Sequence, residues 1–206
     1  LQNGRRTWIL AKLPQRYIIS GDEITPYLVF MNSHDGTGAI KAAMTPIRVV
    51  CMNTLNLALN TAKRSWSTNH VGDMHGKLED ARYTLLYADK YMVELGKAVD
   101  RLNHQKLSER QVCEYIDALF PLVDNASQLQ KKNLMRMKED VRTRFYDAPD
   151  LQHVGRNAYR FVNAVSDFAT HAKPLRERAG YRENLFARTV DGNALIDKAY
   201  SIMQAA

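Results

Sequence analysis

Two stretches near the start of the chain interleave cations with tryptophan at alternate positions. If both stretches are strands, this alternation places each set on one face. Indole rings stack on nucleobases while cations contact phosphates, so such faces suit single-stranded nucleic acid. A sheet covered on one side also buries tryptophan, which leaves a purely structural role open. The residues are Arg6, Trp8 and Lys12 in the first stretch and Arg64, Trp66 and His70 in the second.

A polar stripe is predicted on a helix spanning about 49–62, opposite its apolar residues. Asparagine side chains can donate hydrogen bonds to phosphate oxygens, although they equally often face solvent. Arg48, just before this segment, adds a cation. The stripe consists of Asn53, Asn56, Asn60 and Lys63, followed by Arg64.

Histidines give the one hint of catalysis. His34 and Asp35 lie in a segment dense in turn-forming residues, where side chains commonly bond to the backbone of the turn. A metal-dependent nuclease would need them to converge with His70. The chain lacks a nucleophile elbow, a phosphate loop and a dinucleotide fingerprint. We therefore predict no metal site and no cofactor. Whether the protein is an enzyme stays open at this point, and a protein without catalytic activity is favoured.

The positive charge is concentrated in the first third of the chain. The formal net charge is +7, and residues 1–72 hold eight Lys and Arg against three acids. This asymmetry favours a localised anionic partner, most simply nucleic acid. A second group of cations, between 131 and 144, is predicted to be a solvated exterior spread over more than one helix face: Lys131, Lys132, Arg136, Lys138, Arg142 and Arg144.

The elements that must position these residues change in type near Gly72. Strands are predicted at 5–13, 27–32, 39–44 and 65–71, and helices at 49–62, 75–101, 108–120, 127–145, 154–171 and 191–203. We predict an α+β fold, a small antiparallel sheet in the order β-β-β-α-β followed by a mainly helical C-terminal half. The strand-rich part, 1–72, and the helical part, 73–206, are expected to pack as one compact unit.

Composition indicates a soluble protein of a reducing compartment. No apolar run has the length of a membrane span, and the first residue, Leu1, indicates that an initiator end is missing. The two cysteines, Cys51 and Cys113, both sit among apolar residues, which excludes a disulfide framework and predicts unreactive thiols.

The chain resembles a family of phage and plasmid-like proteins known as domain of unknown function 932. The resemblance rests on residues 4–14, 32–36, 45–55 and 158–171, of which the segment 48–55 is the most specific. It implies a mobile-element setting in a bacterial cytoplasm and no particular reaction. More distantly, three strands followed by a helix with basic residues are similar to single-strand annealing proteins, which implies strand binding in a basic groove and assembly into oligomers.

Three functional hypotheses follow from the sequence. The first is non-catalytic binding of single-stranded DNA in phage or plasmid recombination or replication, with possible homo-oligomers and no membrane contact. The second is a protein-interaction module acting on a host factor through the helical half, which predicts exposed apolar helix residues and internally paired arginines. The third is the metal-dependent nuclease.

Overall fold

One antiparallel sheet forms the first third of the fold. The computed structural model describes residues 6–34, 36, 38–49, 53–54, 56–57, 59, 65–86, 88–173, 181 and 192–206. Within these ranges the sheet has six strands: β1 (Arg6–Lys12), β2 (Tyr17–Ile19), β3 (Asp22–Ser33), β4 (Ile40–Arg48), β5 (Asn53–Thr54) and β6 (Ser65–Thr68). β1 and β2 pair with one edge of β3, β4 pairs with its other edge, and β5 and β6 pair with the outer edge of β4. The predicted small antiparallel sheet is confirmed.

A two-residue turn that the sequence prediction lacks joins β2 to β3. Ser20 and Gly21 both have positive φ, 54° and 82°, and they separate the paired residues Ile19 and Asp22. Two central residues with positive φ fit the twist of a tight hairpin. The Ser-Gly dipeptide was the available signal, and it extends β3 well before the predicted start at residue 27.

Two prolines lie inside strands rather than ending them. Pro26 of β3 and Pro46 of β4 are cross-strand partners, and β4 continues to Arg48 instead of closing at Pro46. The Pro26 carbonyl accepts a hydrogen bond from the Leu13 amide, so the polar edge of Pro26 faces away from β4. The two prolines therefore meet where β3 and β4 exchange no backbone bonds, and their missing N–H groups cost this ladder nothing.

The helix predicted at 49–62 is wrong for the residues that the structure describes there. Asn53 and Thr54 form β5, with Thr54 opposite Ile47 and Asn53 opposite Arg48, and Asn56 and Leu57 are not helical. The asparagine spacing that predicted a helix stripe is overridden by strand pairing, so the order β-β-β-α-β does not hold within the described part of the chain.

Helices dominate the rest of the described chain, as predicted, but the helix predicted at 75–101 corresponds to two elements, and residues 154–157 of the helix predicted at 154–171 are not helical. They are α1 (Met74–Leu86), α2 (Ala88–His104), α3 (Glu109–Leu119), α4 (Gln128–Asp147), α5 (Ala158–His171) and α6 (Ala194–Ala205), with a short 3-10 helix at Pro149–Leu151. Ser108 and Ser127 close capping boxes with Gln111 and Gln130 at the starts of α3 and α4. The α+β class is therefore confirmed.

The main hydrophobic core lies between one face of the sheet and the helices. Ile24 and Met44 from the sheet pack in the same cluster as Leu95 of α2 and Phe161 of α5. One sequence expectation fails outside this core, because Cys113 of α3 is exposed rather than surrounded by apolar residues. Cys51 lies outside the described residues.

Candidate nucleic-acid interface

The ten residues predicted to contact nucleic acid do not form one group. Trp8, Lys12, Arg48, Asn56 and Trp66 have described side chains, and the structure places them in three different environments. Arg48 and Asn56 are buried, Trp8 and Lys12 are exposed, and Trp66 is half-buried. The side chains of Arg6, Asn53, Asn60, Lys63 and Arg64 lie outside the described part of the structure.

Arg48 cannot contact a phosphate, because its side chain is fully buried. Its Nε atom lies 2.7 Å from Oδ2 of Asp22, and its Nη1 donates a 2.5 Å hydrogen bond to Asp150. A guanidinium without solvent access needs such carboxylate partners to offset its desolvation. The prediction for Arg48 is therefore corrected to an internal ion pair that joins β4 to the short 3-10 helix.

The Asp22 carboxylate extends this network to α5. The Tyr159 hydroxyl donates a 2.8 Å hydrogen bond to Oδ2 of Asp22, and Nε2 of the half-exposed His153 lies 3.3 Å from Oδ1. Burial and the negative charge of Asp22 raise the pKa of Tyr159 above its ordinary value of 10.0. The phenol is held neutral and donating, so the network stabilises the sheet against the helices.

Asn56 is also corrected, since a residue that is 1% exposed cannot face a phosphate backbone. It lies beside Leu57, whose carbonyl accepts a 2.8 Å hydrogen bond from Tyr91 of α2. The segment after β5 is therefore packed into the core at these two residues instead of presenting a polar stripe.

The two tryptophans lie on opposite faces of the sheet. Trp8 is opposite Met31, which is opposite Lys41, whereas Trp66 is opposite Ala42, which is opposite Phe30. These two cross-strand rows are adjacent, and adjacent rows project to opposite faces. One nucleic-acid-binding surface that contains both indole rings is therefore excluded.

Trp66 is on the face covered by helices. Its row has the same orientation as Ile24 and Met44, which belong to the main core, and α1 packs against β6. Because Trp66 is half-buried on this face, the structural interpretation fits it better than stacking on a base.

The opposite face combines aromatic and basic side chains at the exposed strand β1. Trp8 is 45% exposed, and Lys12, four residues along the same strand, is also exposed. Tyr27 is directly opposite Lys12 on β3, and Met31 is opposite Trp8. Further into the sheet this face is covered, because Val29 and Ala43 are only 2% exposed and form a small apolar cluster with Met31. A base could therefore stack only at the β1 edge of the face, where an ammonium group could also meet a phosphate.

Two histidines contact one asparagine, Asn32, on the helix-covered face of the sheet. His70 Nε2 lies 2.6 Å from Oδ1 of Asn32, and His34 Nε2 lies 3.5 Å from Nδ2 of the same amide and 3.3 Å from the Thr7 hydroxyl. The amide therefore accepts from His70 and donates to His34. Asp35, the third member of the nuclease hypothesis, lies outside the described residues. Among those described, no three His, Cys, Asp or Glu side chains could hold a metal ion.

These features define an α+β protein whose sheet carries exposed aromatic and basic side chains along the β1 edge of one face, with its opposite face packed on helices. The chain matches the family described as Domain of unknown function (DUF932) over residues 1–201, and it belongs to that family. No curated protein and no solved structure matches it. Among the described helices, none combines the length and apolar character needed to cross a bilayer.

Proposed function

We propose that the chain binds single-stranded nucleic acid, DNA in the first instance, on the face of β1 that carries Trp8 and Lys12. It would do so without catalysis, in recombination or replication of a phage or plasmid in the bacterial cytoplasm. The observation that carries the proposal is that these two side chains share one exposed face of one strand, with Tyr27 and Met31 directly opposite.

The spacing of these residues suits an extended strand. Trp8 and Lys12 lie four residues apart, about 13 Å along β1. Stacking on an indole is worth about 1–3 kcal/mol per base and tolerates any base, whereas a lysine contributes through phosphate charge. Such a surface binds without strict sequence preference and weakens with salt.

Trp8 can report its own contact, because the chain has only two tryptophans. In Trp66→Phe the remaining indole is Trp8, and in the matched variant Trp8→Phe it is Trp66. Titration with a single-stranded oligonucleotide should quench tryptophan fluorescence in Trp66→Phe and leave Trp8→Phe nearly unchanged. Equal quenching in both variants would contradict the proposed face.

Salt provides the second half of the test. The logarithm of the association constant should fall linearly with the logarithm of salt concentration, and the fall should be smaller for Lys12→Gln by about 0.7. Lys90→Gln, an exposed cation of α2, is the control that removes the same charge elsewhere. An association constant that does not change with salt concentration, or no detectable binding to an oligonucleotide, would contradict the proposal.

The protein-interaction module is a second candidate, supported by the connection between α3 and α4. Leu122 and Val123 there are 56% and 73% exposed, and Leu129 and Met135 of α4 are exposed as well. The buried ion pair of Arg48 also agrees with this hypothesis. It predicts that Leu122→Ser with Val123→Ser abolishes capture of a specific host protein, whereas Ile18→Ser, an equally exposed change on β2, does not.

Self-assembly and nuclease activity can be tested on the same preparation. Light scattering after gel filtration measures whether the chain forms oligomers with and without an oligonucleotide. The nuclease hypothesis predicts oligonucleotide cleavage with a divalent metal ion that disappears in His70→Ala. We expect that neither the wild-type chain nor His70→Ala cleaves the oligonucleotide.

A further inference from the structure

The six cations of α4 divide into two groups according to their surroundings. Lys138 and Arg144 are half-buried and ion-paired, with 2.8 Å from Lys138 Nζ to Asp117 and 2.7 Å from Arg144 Nε to Asp140. The other four are exposed, and none forms an ion pair with a carboxylate in the described part of the structure: Lys131, Lys132, Arg136 and Arg142. Two cations of α4 are therefore half-buried in ion pairs, and four are exposed at the surface.

Two of the exposed cations, Lys131 and Lys132, lie where positive charge lowers helix stability. Lys131 is in the first turn of α4 and Lys132 follows it, near the positive end of the helix dipole, and this turn contains no acid. Lys132 and Arg136 are one turn apart, so they repel each other along the helix surface. A helix shaped by stability alone would favour acids at these positions.

These cations cover about 140° of the exposed surface of α4, with Lys131 and Arg142 at one border and Lys132 and Arg136 toward the other. They therefore occupy more than one helix face, as predicted, and continue beyond the helix. Helical spacing aligns Lys131 with Arg142 and Tyr146 over about 22 Å. The guanidinium carbon of Arg142 lies 5.9 Å from the centre of the Tyr146 ring, and that of Arg156 lies 5.2 Å from it. Arg156 therefore prolongs the row at the C-terminal end of the helix.

Few carboxylates oppose this charge locally. Glu139 is exposed on the same side of α4, and Glu109 lies 3.8 Å from Arg156 with both side chains mostly exposed. An exposed pair at that distance contributes little and is screened by salt. The row is therefore most positive at Lys131, Lys132 and Arg136, whereas Glu139, Glu109 and the exposed Asp147 partly offset Arg142 and Arg156.

We propose that this side of α4 is a second contact surface for the nucleic-acid backbone. The row consists of Lys131, Lys132, Arg136, Arg142 and Arg156. The inference rests on the proposed function, to which it adds a sequence-independent phosphate-binding surface separate from the β1 face. Point charges spaced along a helix follow a line of phosphates and carry no base preference.

The test compares two double variants of the full chain with equal charge loss. Lys132→Gln with Arg136→Gln removes two cations of the row, and Lys90→Gln with Arg101→Gln removes two exposed cations of α2. Association with a labelled oligothymidylate of roughly 20 nucleotides is measured by fluorescence anisotropy at several salt concentrations. The row variant should show a salt slope shallower by about 1.4, and the control should keep the wild-type slope.

Circular dichroism checks that both variants keep the wild-type helix content, which is expected because all four side chains are exposed. Should the double variant misfold, Arg142→Gln alone should give a slope shallower by about 0.7. A wild-type slope in the folded row variant overturns the inference, and an α4 surface that serves an acidic protein would give that same result.

Failure of this inference is distinguishable from failure of the proposed function. If Trp8 is still quenched by the oligonucleotide while the row variant keeps the wild-type slope, only the α4 surface is refuted. If the wild-type chain binds no oligonucleotide, both proposals are refuted together.

Discussion

The guanidinium of Arg48 and the carboxylate of Asp22 form an ion pair with no more than 1% of either side chain exposed. The pair joins two neighbouring strands, and Asp150 and Tyr159 attach the helical part of the chain to it. A charged pair in this position ties the sheet to the helices through specific bonds in addition to apolar packing.

Loss of Arg48 should destabilise the protein severely. Arg48→Met leaves the buried Asp22 carboxylate without its main cation, which should lower the free energy of unfolding by about 3–5 kcal/mol in urea titrations. The control is Arg16→Met, because the Arg16 side chain is 64% exposed in its pair with Glu23. That change should cost less than about 1 kcal/mol. Equal losses would show that burial of the Arg48 pair does not matter.

Stability should fall with alkaline pH because two tyrosines are held neutral. Burial and a 2.6 Å hydrogen bond to Asp89 raise the pKa of Tyr17 to about 12, and the pKa of Tyr159 is also raised. Above pH 10 the unfolded chain loses these protons while the folded chain keeps them, so folded stability declines until the folded pKa is passed. Urea titrations between about pH 9 and 12 should show a flatter decline in Tyr17→Phe with Tyr159→Phe.

The two tryptophans should differ in their effect on affinity. Trp8→Ala should weaken binding of a single-stranded oligonucleotide by about 1–3 kcal/mol, since it removes an exposed stacking surface. Trp66→Ala should leave affinity nearly unchanged but destabilise the fold, because this ring packs on the helix-covered face. Anisotropy titrations and urea unfolding of both variants check the two halves of this prediction. The reverse pattern would place the interface on the other face of the sheet.

The capping boxes should each contribute measurable stability. Ser108→Ala and Ser127→Ala remove the side-chain acceptors at the starts of α3 and α4. Each should lower the free energy of unfolding by about 1 kcal/mol. Ser201→Ala, an exposed serine within α6, is the matched control and should change stability by less than about 0.5 kcal/mol. An equal loss of unfolding free energy in the control would show that the capping hydrogen bonds contribute no additional stability.

Helices were predictable because their signals are local. Apolar residues repeat every three or four positions from Ala81 to Val99, and Ser108 and Ser127 each precede a glutamine at the capping distance. The segment around Asn53 gave an equally local signal that was wrong, because pairing of β5 with β4 outweighed the helical spacing. Intrinsic propensity is a weak preference that contact with a neighbouring strand can override.

The sequence by itself determined the class of fold, most helix positions and the excess of positive charge. Only the tertiary structure decided which charges are available. Arg48 is neutralised by carboxylates that are 26 and 102 residues away in the chain, and Trp8 and Trp66 are separated by strand register. Periodicity is a property of adjacent residues, whereas burial, ion pairing and the face of a sheet depend on how distant segments meet. For that reason the composition of the first third could show only an excess of positive charge, and the packed fold decided that Arg48 is buried while Trp8 and Lys12 are exposed.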